Sequence, residues 1–299
     1  MVEPSPLSRS PKERLQITRL EAGQSRTTTD EVAREEPLQL MVDGEPLAIL
    51  MRTPGSDLEL TLGLLHAEGV IKGLSDIAMV RLAPSGQARW PDSRLAVEAD
   101  PEAENLVDVH LRSPLTGGSL GWQRALPSSS ACGICGSATM EALLRFQEPV
   151  VSDRTWPLEE ILDLPGWLAR SQPVFTSTGG LHAAGLVVCG EKKMAVAEDV
   201  GRHNAVDKLV GQALLESRLP LSDSCLVVSG RAGFEIVQKA AAAQIPVLVS
   251  ISAPSSLAVQ TATTLGVTLV GFARGQAGNI YSHKERLRLG LQDGPGSNR

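Results

Sequence analysis

Cys132 and Cys135 stand two residues apart in the stretch SSSACGICGSATM, residues 128–140. Thiols at that spacing can hold a metal, form a redox disulfide or carry a reactive sulfur. A structural zinc site wants four ligands, usually as two close pairs, and this chain has one such pair. His182 and His203 would have to complete it from far along the chain. A thioredoxin-like pair sits just after an early strand of a βαβ unit, whereas this pair lies in a Ser/Gly-rich loop. The reading left is a thiolate nucleophile, because a helix beginning at Ser137 would lower a thiol pKa at its N-terminus. The CxxC alone does not choose among these chemistries.

A second group of polar residues, in EDVGRHNAVDKL, places Asp199, Arg202, His203 and Asn204 where a strand meets a helix. His203 is a candidate general base or metal ligand, set against the ordinary case of a structural histidine. Asp207 and Lys208 are expected to face solvent on that helix. Cys189 and Cys225 fall in apolar strands and read as inert buried thiols.

The elements that must position these residues differ between the two halves of the chain. Residues 1–34 and 286–299 lack periodicity and read as flexible tails. PLQLMVDGEPLAILMRT reads as a hairpin about Asp43-Gly44. In SDLELTLGLLHAEG, Ser56 is a candidate N-cap with Glu59 three residues on, followed by leucines at helical spacing. Short strands follow in DIAMVRLA, RLAVEAD and NLVDVHLR. The region 35–150 is thus a strand-rich α+β subdomain ending in the cysteine loop and its helix.

Residues 151–285 read as an α/β subdomain. GLVVCG and MAVAEDV flank a turn at 191–193, and HNAVDKLVGQALLES is a helix. Then CLVVSG, PVLVSIS and VTLVGFA alternate with the helices GFEIVQKAAAAQ and SSLAVQTATTLG. That alternation implies parallel crossovers and a sheet covered on both faces. Pro165-Gly166 is expected to interrupt the helix in EEILDLPGWLARSQ.

Ligands of such sheets bind beyond the carboxyl ends of the strands. Three segments leave strands there: SGRAGFE, SISAPSS and FARGQAG. The first two open onto helix N-termini, which favour phosphate, and Arg231 and Arg274 can fork onto a phosphate or a guanine edge. Each loop alone is explained by Gly, Ser and Pro forming turns, but three together favour a nucleotide-like ligand. Neither a Walker motif nor a GxGxxG after a strand is present.

Composition bounds the partners. Net charge is −6, against an extended nucleic-acid surface, and aromatics are 3%, so Leu, Val, Ile and Ala must build the cores. There is no apolar run of membrane-spanning length and no secretory leader, so a cytoplasmic protein is expected, with its 4 cysteines reduced.

Over about residues 35–285 the chain resembles the formate dehydrogenase accessory sulfurtransferase family. The resemblance rests on TPGSDLELTLGLLHAEGVI, CGICG, FTSTGGLHAAGL, EDVGRHNAVDKLVG, SGRAGFEIVQKAA, ISAPSSLAVQTA and GFARGQAGNIYSH, in that order. It implies a cytidine-deaminase-like three-layer α/β/α core and a homodimer. Deaminase chemistry is not implied, since the zinc signature is incomplete: HAE stands at 66–68, but Ala131 precedes Cys132 where PCxxC requires Pro, and no permanent metal is expected. The implied activity is a sulfurtransferase, required for formate dehydrogenase activity. It takes sulfur from a cysteine desulfurase as a cysteine persulfide and passes it to the molybdenum cofactor, as bis-(molybdopterin guanine dinucleotide), before insertion into the formate dehydrogenase apoenzyme. Cys132 is then the persulfide carrier and Cys135 assists or resolves. Phe272, Ala273, Arg274, Gly275, Gln276 and Ala277 match the family's cofactor-binding stretch, and Arg231 and His203 are added as binding candidates from the sheet edge. The rival readings are a non-catalytic chaperone for the same cofactor, which has no need of a CxxC, and a zinc protein.

Overall fold

The computed structural model describes residues 10–83, 95–100, 104–113 and 148–288. Cys132, Cys135 and the helix expected from Ser137 lie outside the described residues.

The chain builds two main sheets with helices between and around them. The first has the order β4-β3-β7-β5-β6. Its strands are β3 (Glu36–Val42), β4 (Glu45–Arg52), β5 (Ile77–Leu82), β6 (Val97–Ala99) and β7 (Leu106–Leu111). The β3–β4 hairpin turns at Asp43-Gly44, both with positive φ, the primed geometry that an Asp-Gly pair adopts. Helix α1 (Asp57–Ala67) follows, anchored at its first residue by Arg52, whose guanidinium donates to Asp57 at 2.7 and 2.9 Å.

The second sheet has the order β10-β9-β11-β12-β13-β14. It contains β9 (His182–Val188), β10 (Met194–Asp199), β11 (Ser224–Val228), β12 (Val247–Ser250), β13 (Thr268–Arg274) and β14 (Ala277–Ser282). Strands β11, β12 and β13 are parallel, as their alternation with helices requires, while β9, β10 and β14 run antiparallel to their neighbours. On one face pack α4 (Arg202–Leu215), α5 (Phe234–Ala242) and α6 (Ser256–Leu265), closing on Leu226, Val228, Leu248 and Leu269. On the other lies α2 (Leu158–Arg170), whose Ile161, Leu164 and Leu168 meet Val227, Val247, Val249 and Val270. Successive strand residues thus feed opposite cores, giving three α/β/α layers.

Helix α4 belongs to both cores. Its Ala205, Val206, Leu209 and Val210 face the second sheet, and Leu214 and Leu215 join the core of the first. Against α1 it approaches to backbone contact: a Cβ on Gly63 would overlap the Asp207 carbonyl, and one on Gly211 the Glu59 carbonyl. This shared position overturns the expectation for Asp207 and Lys208, which are buried rather than solvated. A helix covered on several sides has little solvent face, so its charges are paired instead.

Three further expectations are corrected. Residues 12–33 form a hairpin, β1 (Lys12–Glu21) with β2 (Gln24–Ala33), in place of a flexible tail. The Thr27–Thr29 run favours a strand in β2, and the positive φ of Ala22 and Gly23 gives a tight primed turn. Near the other end, β15 (Leu287–Arg288) pairs with β8 (Trp156–Pro157) and buries Leu287, so the ordered chain runs past 286. Helix α2 continues through Pro165, because packing of Ile161, Leu164 and Leu168 outweighs the lost hydrogen bond. The short α3 (Pro173–Thr178) then leads into β9.

Candidate functional site at the carboxyl edge of the second sheet

The loops after β11 and β12 meet the end of β13 at one edge through their backbones. Ser250, fully buried at the end of β12, donates its Oγ to Gly230 O at 2.8 Å, with Ser252 O a second acceptor at 3.0 Å. Ser252 O in turn accepts from Phe272 N at 3.1 Å, and Ser255 N donates to Ala232 O at 3.1 Å. Ser255 also caps α6, its Oγ accepting from Ala258 N at 3.2 Å. No acidic residue occupies the first turn of α6, so the positive end of its dipole is uncompensated. Helix α5 differs: Glu235 stands in its first turn.

The predicted site residues divide over this edge. Phe272 is 46% exposed and has φ +53°, a left-handed conformation that a bulky side chain rarely adopts. It sits in an irregularity of the β13–β14 pairing between Gly271 and Arg274. The stretch expected to leave the sheet as a loop is instead a β-hairpin, with β13 running through Arg274 and β14 returning from Ala277. Ala273 is buried in the α2 core, while Arg274, Gly275 and Gln276 are exposed at the turn. Gln276 donates to Asp163 of α2 at 3.3 Å. Residues 274–277 therefore lean to the α2 face, whereas Arg231, exposed before α5, and His203, on the first turn of α4, lie on the opposite face.

His203 is positioned by a buried clamp. Asp199, 0% exposed at the end of β10, accepts from Thr53 N at 3.1 Å, Gly201 N at 2.8 Å and Asn204 Nδ2 at 2.8 Å. Lys208 Nζ lies 2.6 Å from the same carboxylate and donates to Thr53 O and Glu198 O. This clamp ties the end of β4 to the start of α4. Above it, His203 Nε2 lies 3.2 Å from Glu235 Oε2. Burial, with the positive charges of Arg202 and Lys239 and the neighbouring His182, lowers the His203 pKa to about 3. His203 is thus a neutral imidazole at physiological pH. Burial likewise lowers the His182 pKa, with Arg202 adding to it. An added Cβ on Gly230 would sit 3.5 Å from both His182 Nδ1 and Arg202 Cδ, so the first edge loop lies directly against these side chains.

An open cleft of about 430 Å³ lies elsewhere, lined by Val151–Arg154, Ser222 and Asp223. It precedes β11 at the amino end of the sheet, is walled by the exposed Arg154–Asp223 pair, and has no part in the edge described here. Cys225 is fully buried and its pKa is raised by burial. Cys189 is half-buried just beyond β9, with its pKa also raised by burial. Neither thiol is activated. Glu235 and Lys239 escaped sequence reasoning, although their spacing of four in a helix places them on one face.

Comparison with known proteins agrees with this architecture. A solved chain described as a putative formate dehydrogenase accessory protein from Desulfotalea psychrophila superposes with a TM-score of 0.70 at 24% identity, covering 93% of this chain and 100% of that one. At that identity the likeness bears on fold alone. A relative named sulfur carrier protein FdhD from Anaeromyxobacter dehalogenans (strain 2CP-C) is 46% identical over 270 residues, spanning 87% of this chain and 89% of its own. One of the same name from Sulfolobus acidocaldarius is 41% identical over 276 residues, spanning 92% and 98%. The FdhD/NarQ family model matches residues 33–288, from the end of β2 to the end of β15. With both main sheets inside that match and curated relatives aligned over most of their length, the chain belongs to the FdhD/NarQ family.

Proposed function

We propose that the chain is a sulfur carrier, a sulfurtransferase that holds sulfur as a persulfide on Cys132 on its way to the molybdenum cofactor of formate dehydrogenase. The Cys132 thiolate attacks the outer sulfur of a persulfide on a cysteine desulfurase. A new S–S bond forms on Cys132 and the desulfurase leaves as thiolate. Cys135 assists or resolves the loaded state. The acceptor is the bis-(molybdopterin guanine dinucleotide) cofactor, bound as cargo, and the protein works as a cytoplasmic homodimer. The observation that supports this reading most is the family match over residues 33–288, which spans the Cys132–Cys135 pair.

The sheet edge fits the cargo. The uncompensated α6 N-terminus with its Ser255 cap suits a phosphate, and positive charge for a dinucleotide comes from the exposed Arg231 on that face and the exposed Arg274 on the α2 face. The exposed Phe272 ring offers a face for a planar base.

The test is an intact mass after incubation with a cysteine desulfurase and cysteine, with and without reductant. A reducible gain of one sulfur, mapped to Cys132 and lost in Cys132→Ala, is expected. No sulfur on either thiol, with binding of guanosine diphosphate intact, would make the protein a cofactor-binding chaperone instead.

A further inference from the structure

Beneath the His203–Glu235 contact lies a second pairing between the same two helices. Lys239 Nζ donates to both carboxylate oxygens of Asp207, at 2.7 and 2.9 Å, and both side chains are buried. Asp207 is four residues beyond His203 on α4, and Lys239 four beyond Glu235 on α5. Residues four apart share a helix face, so the two pairings form the rungs of a ladder between α4 and α5. The outer rung is partly exposed at the sheet edge, with side-chain exposures of 30% and 34%, and the inner rung is closed to solvent at 6% and 3%.

We propose that Asp207 and Lys239 are positioning residues for the sheet-edge site, fixing the first turns of α4 and α5 against each other so that His203 is held beside Glu235 at the edge. The proposal rests on the reading of the edge as a ligand site, but its structural part stands without it. The electrostatics agree with the geometry. Burial is the largest cause holding His203 unprotonated; Arg202 on its own helix and Lys239 add to it, and His182 on β9 does so when protonated. Burial raises the Asp207 pKa to about 6 against the attraction of Lys239, with Asp199 on β10 and Glu235 on α5 adding like charge. Glu68, at the end of α1, completes the surroundings; burial raises its pKa, and it feels Lys239, Asp207 and Glu235. A neutral His203 offers a ring nitrogen as an acceptor to a ligand N–H or O–H, which an imidazolium cannot do. Loosening the inner rung frees α5 to shift and lets His203 charge.

The experiment replaces Lys239 with Met, a side chain of similar length, in the full-length protein. Asp207 then takes a proton, so no unpaired charge is left buried. Lys239→Arg is the conservative control, and circular dichroism reports folding. The first readout is the His203 ring resonance titrated with pH, assigned by its loss in His203→Gln. The second is the Kd for guanosine diphosphate. In Lys239→Met the His203 midpoint is expected to rise measurably, since looser packing admits water and the lost Lys239 charge is only partly offset by the charge Asp207 loses with it. The Kd is expected to weaken by roughly tenfold, the scale of one lost hydrogen bond. Lys239→Arg should return both toward the parent. An unchanged His203 midpoint in folded Lys239→Met overturns the proposal, as does a shifted midpoint with unchanged nucleotide affinity. If the parent itself does not bind guanosine diphosphate while the midpoint moves, the ladder stands and the ligand reading of the edge fails. Should Lys239→Met not fold, the double variant D207N/K239M, which keeps a neutral polar partner, is measured in its place against the same two outcomes.

Discussion

Lys208 Nζ lies 2.6 Å from Asp199 Oδ2, and neither side chain is more than 5% exposed. Around this pair Thr53, Gly201 and Asn204 all donate to the carboxylate, so the end of the first sheet and the start of α4 share one anion. A buried pair of this kind specifies geometry more than it adds net stability, yet losing one partner is costly.

Lys208→Met should therefore lower stability by about 3–5 kcal/mol, since Asp199 is left charged and without its cation. Urea denaturation of the parent, Lys208→Met, Asp199→Asn and D199N/K208M measures this. The double variant should lose clearly less than the sum of its two single substitutions. A Lys208→Met protein within about 1 kcal/mol of the parent would show that backbone donors alone suffice for Asp199.

Gly63 and Gly211 let α1 and α4 cross at backbone contact. Adding one methyl at either position meets a carbonyl rather than a movable side chain, so the helices must separate. Gly63→Ala and Gly211→Ala should each cost at least about 3 kcal/mol, at the upper end of overpacking penalties. Gly166→Ala, whose Cβ would meet no more than the end of the Arg170 side chain, serves as the control and should be tolerated. Thermal unfolding separates them; equal melting temperatures for Gly63→Ala and the control would refute the close crossing.

The depressed His203 pKa gives a signed pH dependence. In the unfolded chain this imidazole takes a proton near pH 6.5, whereas in the fold it does so only near 3. The unfolded state thus binds more protons between those values. The stability contribution is fully present above pH 6.5 and is lost as pH falls toward 3. His203→Gln should remove that slope, by about 1–3 kcal/mol across the window once solvent screening is allowed for. Urea unfolding from pH 4 to 7 measures the difference between parent and variant, and parallel curves would contradict a neutral His203.

Phe272 holds a left-handed backbone that glycine adopts freely. Phe272→Gly should relieve strain of about 1 kcal/mol, offset in part by loss of a half-exposed ring. A melting temperature equal to or above the parent is expected, together with weaker binding of guanosine diphosphate. A large fall in melting temperature would make Phe272 a structural residue rather than a strained one.

Local signals were strong where one short stretch contained its own reason. Asp43-Gly44 demands a primed turn, and the apolar runs of β11, β12 and β13 between amphipathic helices demand a covered parallel sheet, so both were legible. The loops after β11 and β12 were legible for the same reason, because strand polarity alone sets which end they leave, whereas the stretch after β13 returns as β14. The turn at Ala22-Gly23 carries no such signal, because alanine is an unusual residue for a positive φ, and its hairpin is not legible from the sequence. Pro165 misled because helix propensity is a weak prior beside the packing of Ile161, Leu164 and Leu168.

By itself the sequence determined the α/β class, the alternation of β11, β12 and β13 with their helices, and the presence of a single close thiol pair. Only the tertiary structure decided the surroundings of α4. No periodicity reveals that one helix serves two cores, because its polar residues look the same whether water or a partner satisfies them. That is why Asp207 and Lys208 read as surface charges and prove to be buried, and why Glu235 and Lys239, from another helix, complete the ladder. Charge pairing across helices is fixed by distances through space, and a linear pattern carries only the spacing along each helix.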